Sequence, residues 1–111
     1  MRKTVKLGSM DTELVANAAS PYLYKLIFHE DFLKKLQEQE PDLDIIQKMT
    51  FVMVKQAELT SMTALCELSK DDYFEWLVQF EPMDIFTASD EVMSLYMGQT
   101  KGTSVPKTEG D

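Results

Sequence analysis

Near the N-terminus Val5 and Leu7 alternate with the polar Thr4 and Lys6, and Leu14 and Ala16 repeat that spacing beyond Gly8-Ser9-Met10-Asp11. Alternation broken by turn-forming residues predicts a β-hairpin over Lys3–Leu7 and Thr12–Ala16, with Gly8-Ser9-Met10-Asp11 as the turn. An isolated hairpin is only marginally stable, so its apolar face has to lie on something else. From residue 20 onward the apolar period lengthens from two to three or four, which is the period of a helix. Ser20-Pro21 announces the first helix, Ser as a cap for free amides and Pro at the first helical position, where its missing N–H costs nothing. Leu23 and Ile27 face inward there, with Leu26 beside them, and His29-Glu30 reads as a joint. Asp31 caps a short second helix through Phe32, Leu33 and Leu36.

Residues 37–44 are polar and broken by Pro41. The strongest helix follows, from Asp42 or Leu43 to Leu59. Ile46, Met49, Met53 and Ala57 form its stripe, widened by Ile45 and Val52. Asp42 and Asp44 at its start and Lys55 near its end match the helix dipole. Ala64, Leu65 and Leu68 fit either a continuation of this helix or a separate short one. Asp71 to Phe80 predicts an amphipathic helix with Phe74, Leu77 and Phe80 on one side and Trp76 adjacent, ended by Glu81-Pro82. A last helix lies within Asp84–Met97, with Ile85, Val92, Leu95 and Tyr96 inward and Gly98 placed to stop it. Gly, Thr, Ser, Pro and Lys then dominate, predicting an exposed, mobile tail. The expected fold is α+β, mainly α with a short N-terminal β-hairpin. It forms a single compact helical domain of four to six helices over residues 1–98, with a flexible tail at 99–111.

Length agrees, since 111 residues suffice for one core and not two. Charge changes the picture more. The formal net charge is −8, but residues 1–70 are nearly neutral. Between Asp71 and Thr100 there is no Lys or Arg, while Asp71, Asp72, Glu75, Glu81, Asp84, Asp90 and Glu91 are acidic. Phosphate backbones need cations, so nucleic acid is not the expected partner of this half; a basic or apolar protein surface is. Cys66 is the only cysteine, which rules out an intrachain disulfide and fits a reducing compartment. The opening Met-Arg-Lys-Thr-Val-Lys lacks the apolar run of a signal peptide, and no apolar run approaches a membrane span. A cytoplasmic protein is expected.

Candidate chemistry is thin. His29 and Cys66 have no partners at a catalytic spacing, and Cys66, among Ala64, Leu65 and Leu68, reads as a small buried hydrophobe. Asp71-Asp72 with Glu75 is the pattern that a helix N-terminus attracts for dipole reasons, not a cation loop. No catalytic, metal or cofactor-binding residue is nominated, and an enzymatic reading has no pocket to stand on. Eight methionines serve as gap-fillers of an irregular core, and the same thioethers suit an adaptable binding surface. The working surface is assigned to the cation-free stretch: Trp76, Phe80, Ile85, Phe86 and Tyr96 at or beneath it, with Asp72, Glu75 and Asp84 as its acids.

Asp72-Tyr73-Phe74-Glu75-Trp76-Leu77-Val78-Gln79-Phe80, Met83-Asp84-Ile85-Phe86, Leu95-Tyr96 and Thr103-Ser104-Val105-Pro106-Lys107 follow one another in an ordered pattern. It resembles the tail assembly chaperones of long-tailed phages and prophages of Gram-positive bacteria. Thr4-Val5-Lys6, Ser20-Pro21-Tyr22-Leu23-Tyr24 and Val52-Met53-Val54-Lys55-Gln56-Ala57 extend the similarity over nearly the whole chain. Tyr96 stands where the family usually has Trp, Gln99 where it has Asn, and His29 where a Gly often closes the first helix. The resemblance implies a non-enzymatic chaperone, in the host cytoplasm and absent from the mature virion. It would bind the tape measure protein and the major tail tube protein, alongside a longer frameshifted form of itself. The open hairpin edge adds the expectation of a homo-oligomer. The alternative is an acidic inhibitor that mimics nucleic acid and occupies the basic groove of a host nucleic-acid-binding protein, for which the near-neutral first 70 residues are poorly suited.

Overall fold

The computed structural model describes residues 2–38 and 42–101, the stretch 97–101 by its backbone alone. Strands β1 (Arg2–Leu7) and β2 (Met10–Val15) pair antiparallel, with Val5 opposite Thr12 and Leu7 opposite Met10. The turn is therefore two residues, Gly8-Ser9, shorter than the four expected, and Met10 and Asp11 belong to β2. Gly8 has φ 66°, the left-handed value that the first central position of a tight hairpin turn asks for. Val5, Leu7, Leu14 and Ala16 are buried, as their alternation requires.

Seven helices follow among the described residues: α1 (Ala19–Phe28), α2 (Phe32–Glu38), α3 (Leu43–Glu58), α4 (Met62–Cys66), α5 (Lys70–Leu77), α6 (Asp84–Thr87) and α7 (Ser89–Lys101). The mainly α architecture with an N-terminal hairpin is as expected, but the described helices are seven where four to six were expected, and α5 ends at Leu77, short of Phe80. Helix α1 starts earlier than Ser20. The Asn17 side chain accepts the Ala19 N–H at 2.9 Å, and Ser20, fully buried, donates its hydroxyl to Gln56 Oε1 at 2.6 Å. The N-cap is Ala18, whose side chain makes no capping bond; the amide is met from Asn17, one residue earlier, and Ser20 is drawn inward by a buried partner instead. Pro21 remains within the first turn, where amides have no intrahelical acceptor. His29 closes α1 at φ 58° and donates its N–H to Lys25 O at 2.8 Å. Asp31 and Asp42 cap α2 and α3, accepting from Lys34 N and Ile45 N at 3.0 Å each.

The hub is α3, which packs against β2, α1, α5, α6 and α7. Every residue from Met49 to Val54 is buried, so the helix is covered all round and not along a stripe alone. Thr50 pays for its place there by donating to Ile46 O at 2.6 Å. Three other expectations need correction. The last helix is two, α6 and α7, broken at Ala88, although Ile85, Val92, Leu95 and Tyr96 are all buried as expected. Gly98 does not stop it, since α7 runs to Lys101; glycine weakens a helix and ends it only in left-handed geometry. Cys66 is exposed, because α4 turns Leu65 inward. Residues 102–111 of the expected tail lie outside the described residues.

Candidate protein-binding face

Helix α5 is set in place by its own first turn. Asp72 Oδ2 accepts the Ser69 N–H at 2.9 Å and the Ser69 hydroxyl at 3.3 Å, closing a capping box. The side turned to the core carries Tyr73 and Trp76, with Leu77 and Phe80 half-buried against it. Phe74, expected on that side, points to solvent and is 54% exposed. Both assignments satisfy helical spacing; they differ by one residue, about 100° of rotation. Tyr73 and Trp76 win by completing a run of aromatic rings. That run goes from Tyr96 to Phe32, Tyr24, Phe28, Tyr73, Phe51, Trp76 and Phe80, with successive centroids 4.9–5.5 Å apart.

The nominated apolar residues thus divide. Trp76, Ile85 and Tyr96 are core side chains and cannot themselves grip a partner; Phe80 is half-buried, and Phe86 is exposed. Phe74, Val78 and Met83, which the sequence reading did not nominate, join Phe86 as large exposed apolar groups of the cation-free stretch, with Val78 80% accessible. The available signal was the spacing of Phe74 and Val78, four residues apart and hence stacked on one helix side. Of the nominated acids, Glu75 is exposed, while Asp72 caps α5 and Asp84 Oδ2 accepts the Glu81 N–H at 2.9 Å. Glu91 pairs with Lys3 at 3.6 Å. Among the described residues it is the only acid of 71–100 in an ion pair, so this end of the molecule keeps an uncompensated negative field.

The titratable cluster lies elsewhere, where α1, α2 and α3 meet. Lys48 Nζ stands 2.9 Å from Asp44 and 3.3 Å from Glu30, and the Tyr24 hydroxyl donates to Glu30 at 3.1 Å. Burial raises the Glu30 carboxyl, but the Tyr24 hydrogen bond and the Lys48 charge outweigh it and hold the group below its ordinary value. Burial likewise works against the Lys48 ammonium, and Asp44 and Glu30 hold it above. Burial, then the Glu30 charge, pushes Tyr24 up; burial and Asp44 push Tyr73 up to about 12. Each charge is matched within the cluster, as expected of a clamp between helices. Among the described residues no group of three or more His, Cys, Asp or Glu is placed to hold a metal, and no helix is long and apolar enough to cross a membrane.

Compared with family models, with curated proteins and with solved structures, the chain gives no match.

Proposed function

We propose that this chain is a non-enzymatic assembly chaperone, whose cation-free helical end holds apolar helical segments of a tape measure protein until tail tube subunits assemble around them. The observation that carries the reading is the exposure of Phe74, Val78, Met83 and Phe86 within a stretch that has no Lys or Arg. Exposed large apolar side chains cover a partner's apolar seam, and the surrounding carboxylates keep the complex soluble. Trp76, Ile85 and Tyr96 hold these residues at the surface from beneath, and the unpaired acids favour basic flanks on the partner. The resemblance in sequence order supplies the identity of the partner, and with it the tail tube protein, a longer form of the chain, the host cytoplasm and absence from the virion.

Co-expression with the tape measure protein tests the proposal. The tape measure protein should shift from the insoluble to the soluble fraction and elute in a complex, and Phe74→Ser with Phe86→Ser should reverse both effects. Equal insolubility with and without this chain would sink the reading.

A further inference from the structure

Among the described residues the hairpin is a sheet of two strands, so each strand has one side without a strand neighbour there. On the β1 side α6 and α7 pack against the strand. On the β2 side there is a groove of about 330 Å³. Its wall is built from four consecutive residues, Met10 to Glu13. Side chains of a strand alternate between faces, so consecutive residues line one groove only if it runs along the strand's edge. In an antiparallel ladder closed by a two-residue turn, the N–H and C=O groups of Asp11 and Glu13 point away from the partner strand. No backbone hydrogen bond joins Met10–Val15 to anything except β1 among the described residues.

The opposite wall of this groove is mixed, with Val54, Ala57, Trp76 and Phe80 apolar and Lys55, Glu58 and Gln79 polar. Val54 and Trp76, 2% and 6% exposed, form its floor with Phe80. Its rim is acidic: Asp11, Glu13 and Glu58 against a single cation, Lys55. Their ion pairs with Lys6, Arg2 and Lys55 are surface pairs, which exchange readily for a partner's charges.

We infer that the β2 edge is a strand-addition site for an extended, basic and amphipathic segment of another protein. Such a segment hydrogen-bonds to Asp11 and Glu13 backbone, seats one apolar side chain between exposed Met10 and half-buried Phe80, above the core residues Val54 and Trp76, and places Lys or Arg against the rim. A second copy of this chain fits poorly, because antiparallel pairing of two β2 edges sets Asp11 and Glu13 against their own counterparts. This inference rests on β2 and its groove and does not require the chaperone reading.

The probe is a short blocked peptide of alternating Lys and Val with one central Phe, titrated into the full chain. Trp76 is the only tryptophan, so its emission reports on the groove floor directly. The expected result is a saturable emission change, with amide shifts at Asp11 and Glu13, that weakens as salt rises. N-methylation of alternate peptide amides should weaken binding at least about tenfold, equivalent to about 1.4 kcal/mol. Asp11→Asn with Glu13→Gln should flatten the salt dependence without loss of helical signal, and Phe74→Ser with Phe86→Ser should leave peptide affinity unchanged, separating this site from the chaperone face. Equal binding of the methylated peptide, or no emission change, overturns the inference. Dimerisation that protects the Asp11 and Glu13 amides from exchange also overturns it, giving the edge to a second copy.

Discussion

His29 holds the left-handed geometry that ends α1, at φ 58°, with its side chain exposed. A β-carbon in that region costs about 1–2 kcal/mol, part of which is offset because glycine has more freedom to lose on folding. His29→Gly should therefore stabilise the protein by about 0.5–1 kcal/mol, seen as a higher urea midpoint at an unchanged slope. Gly8 presents the reverse case. It sits at φ 66°, and a β-carbon there would stand 2.6 Å from Asp84 Oδ2, the same oxygen that receives the Glu81 N–H. Gly8→Ala both strains the turn and displaces the carboxylate that starts α6. A loss of about 2 kcal/mol is expected from strain and the lost Glu81 hydrogen bond together, and a neutral result in urea titration would show that the turn and α6 are not coupled.

Between elements, the start of α1 is tied to the end of α3 by buried polar groups. Ser20 donates to Gln56 Oε1 at 2.6 Å, and Gln56 Nε2 donates to Asn17 Oδ1 at 2.8 Å. Gln56→Leu takes the acceptor from the buried Ser20 O–H, whose oxygen still receives the Asn17 N–H at 3.1 Å, at about 1–3 kcal/mol. Adding Ser20→Ala removes that unmatched donor, although it also takes the acceptor from the Asn17 N–H; because the two side chains share one hydrogen bond, the double variant should cost less than the sum of the singles in a double-mutant cycle. Helix α5 offers a sharper contrast. Trp76→Ala should lose about 3–5 kcal/mol as a core truncation, while Phe74→Ser should stay within about 0.5 kcal/mol, measured by thermal or urea unfolding. That contrast also marks where sequence was legible. The hairpin alternation, the extent of α3 and the Asp31 cap depend on residues near one another in the chain, and their expected places hold. The inward side of α5 was not legible, because two apolar stripes one position apart both fit a helix and only Phe28 and Phe51, far away in sequence, select between them. The groove beside β2 joins residues 10–13, 54–58 and 76–80, and no local pattern announces such a meeting.

Charge among the described residues is divided too, with matched pairs on the hairpin and around α1–α3 and, Glu91 apart, acids without ion pairs on α5–α7. Glu30 and Lys48 of the matched set, with three tyrosines, give stability its dependence on pH. Glu30 is held below its ordinary 4.5. A depressed carboxylate stabilises the fold at all pH above its unfolded value, and that contribution is lost as pH falls through the folded value. Acid unfolding should therefore begin below about pH 4.5, and Glu30→Gln should flatten this limb while lowering stability at neutrality. On the alkaline side Lys48, Tyr24, Tyr73 and Tyr96 all lie above their ordinary values. Their contributions are complete below about pH 10 and fade as pH rises through the folded values, with Tyr73 at about 12. Urea midpoints measured from pH 3 to 11 should accordingly trace a plateau bounded by those two limbs. Tyr24→Phe separates the causes: it removes the hydroxyl that holds Glu30 down, so it should steepen nothing in alkali and weaken the acid limb. An acid limb of wild-type slope in that variant would mean that Lys48 alone, and not the Tyr24 hydrogen bond, keeps Glu30 ionised.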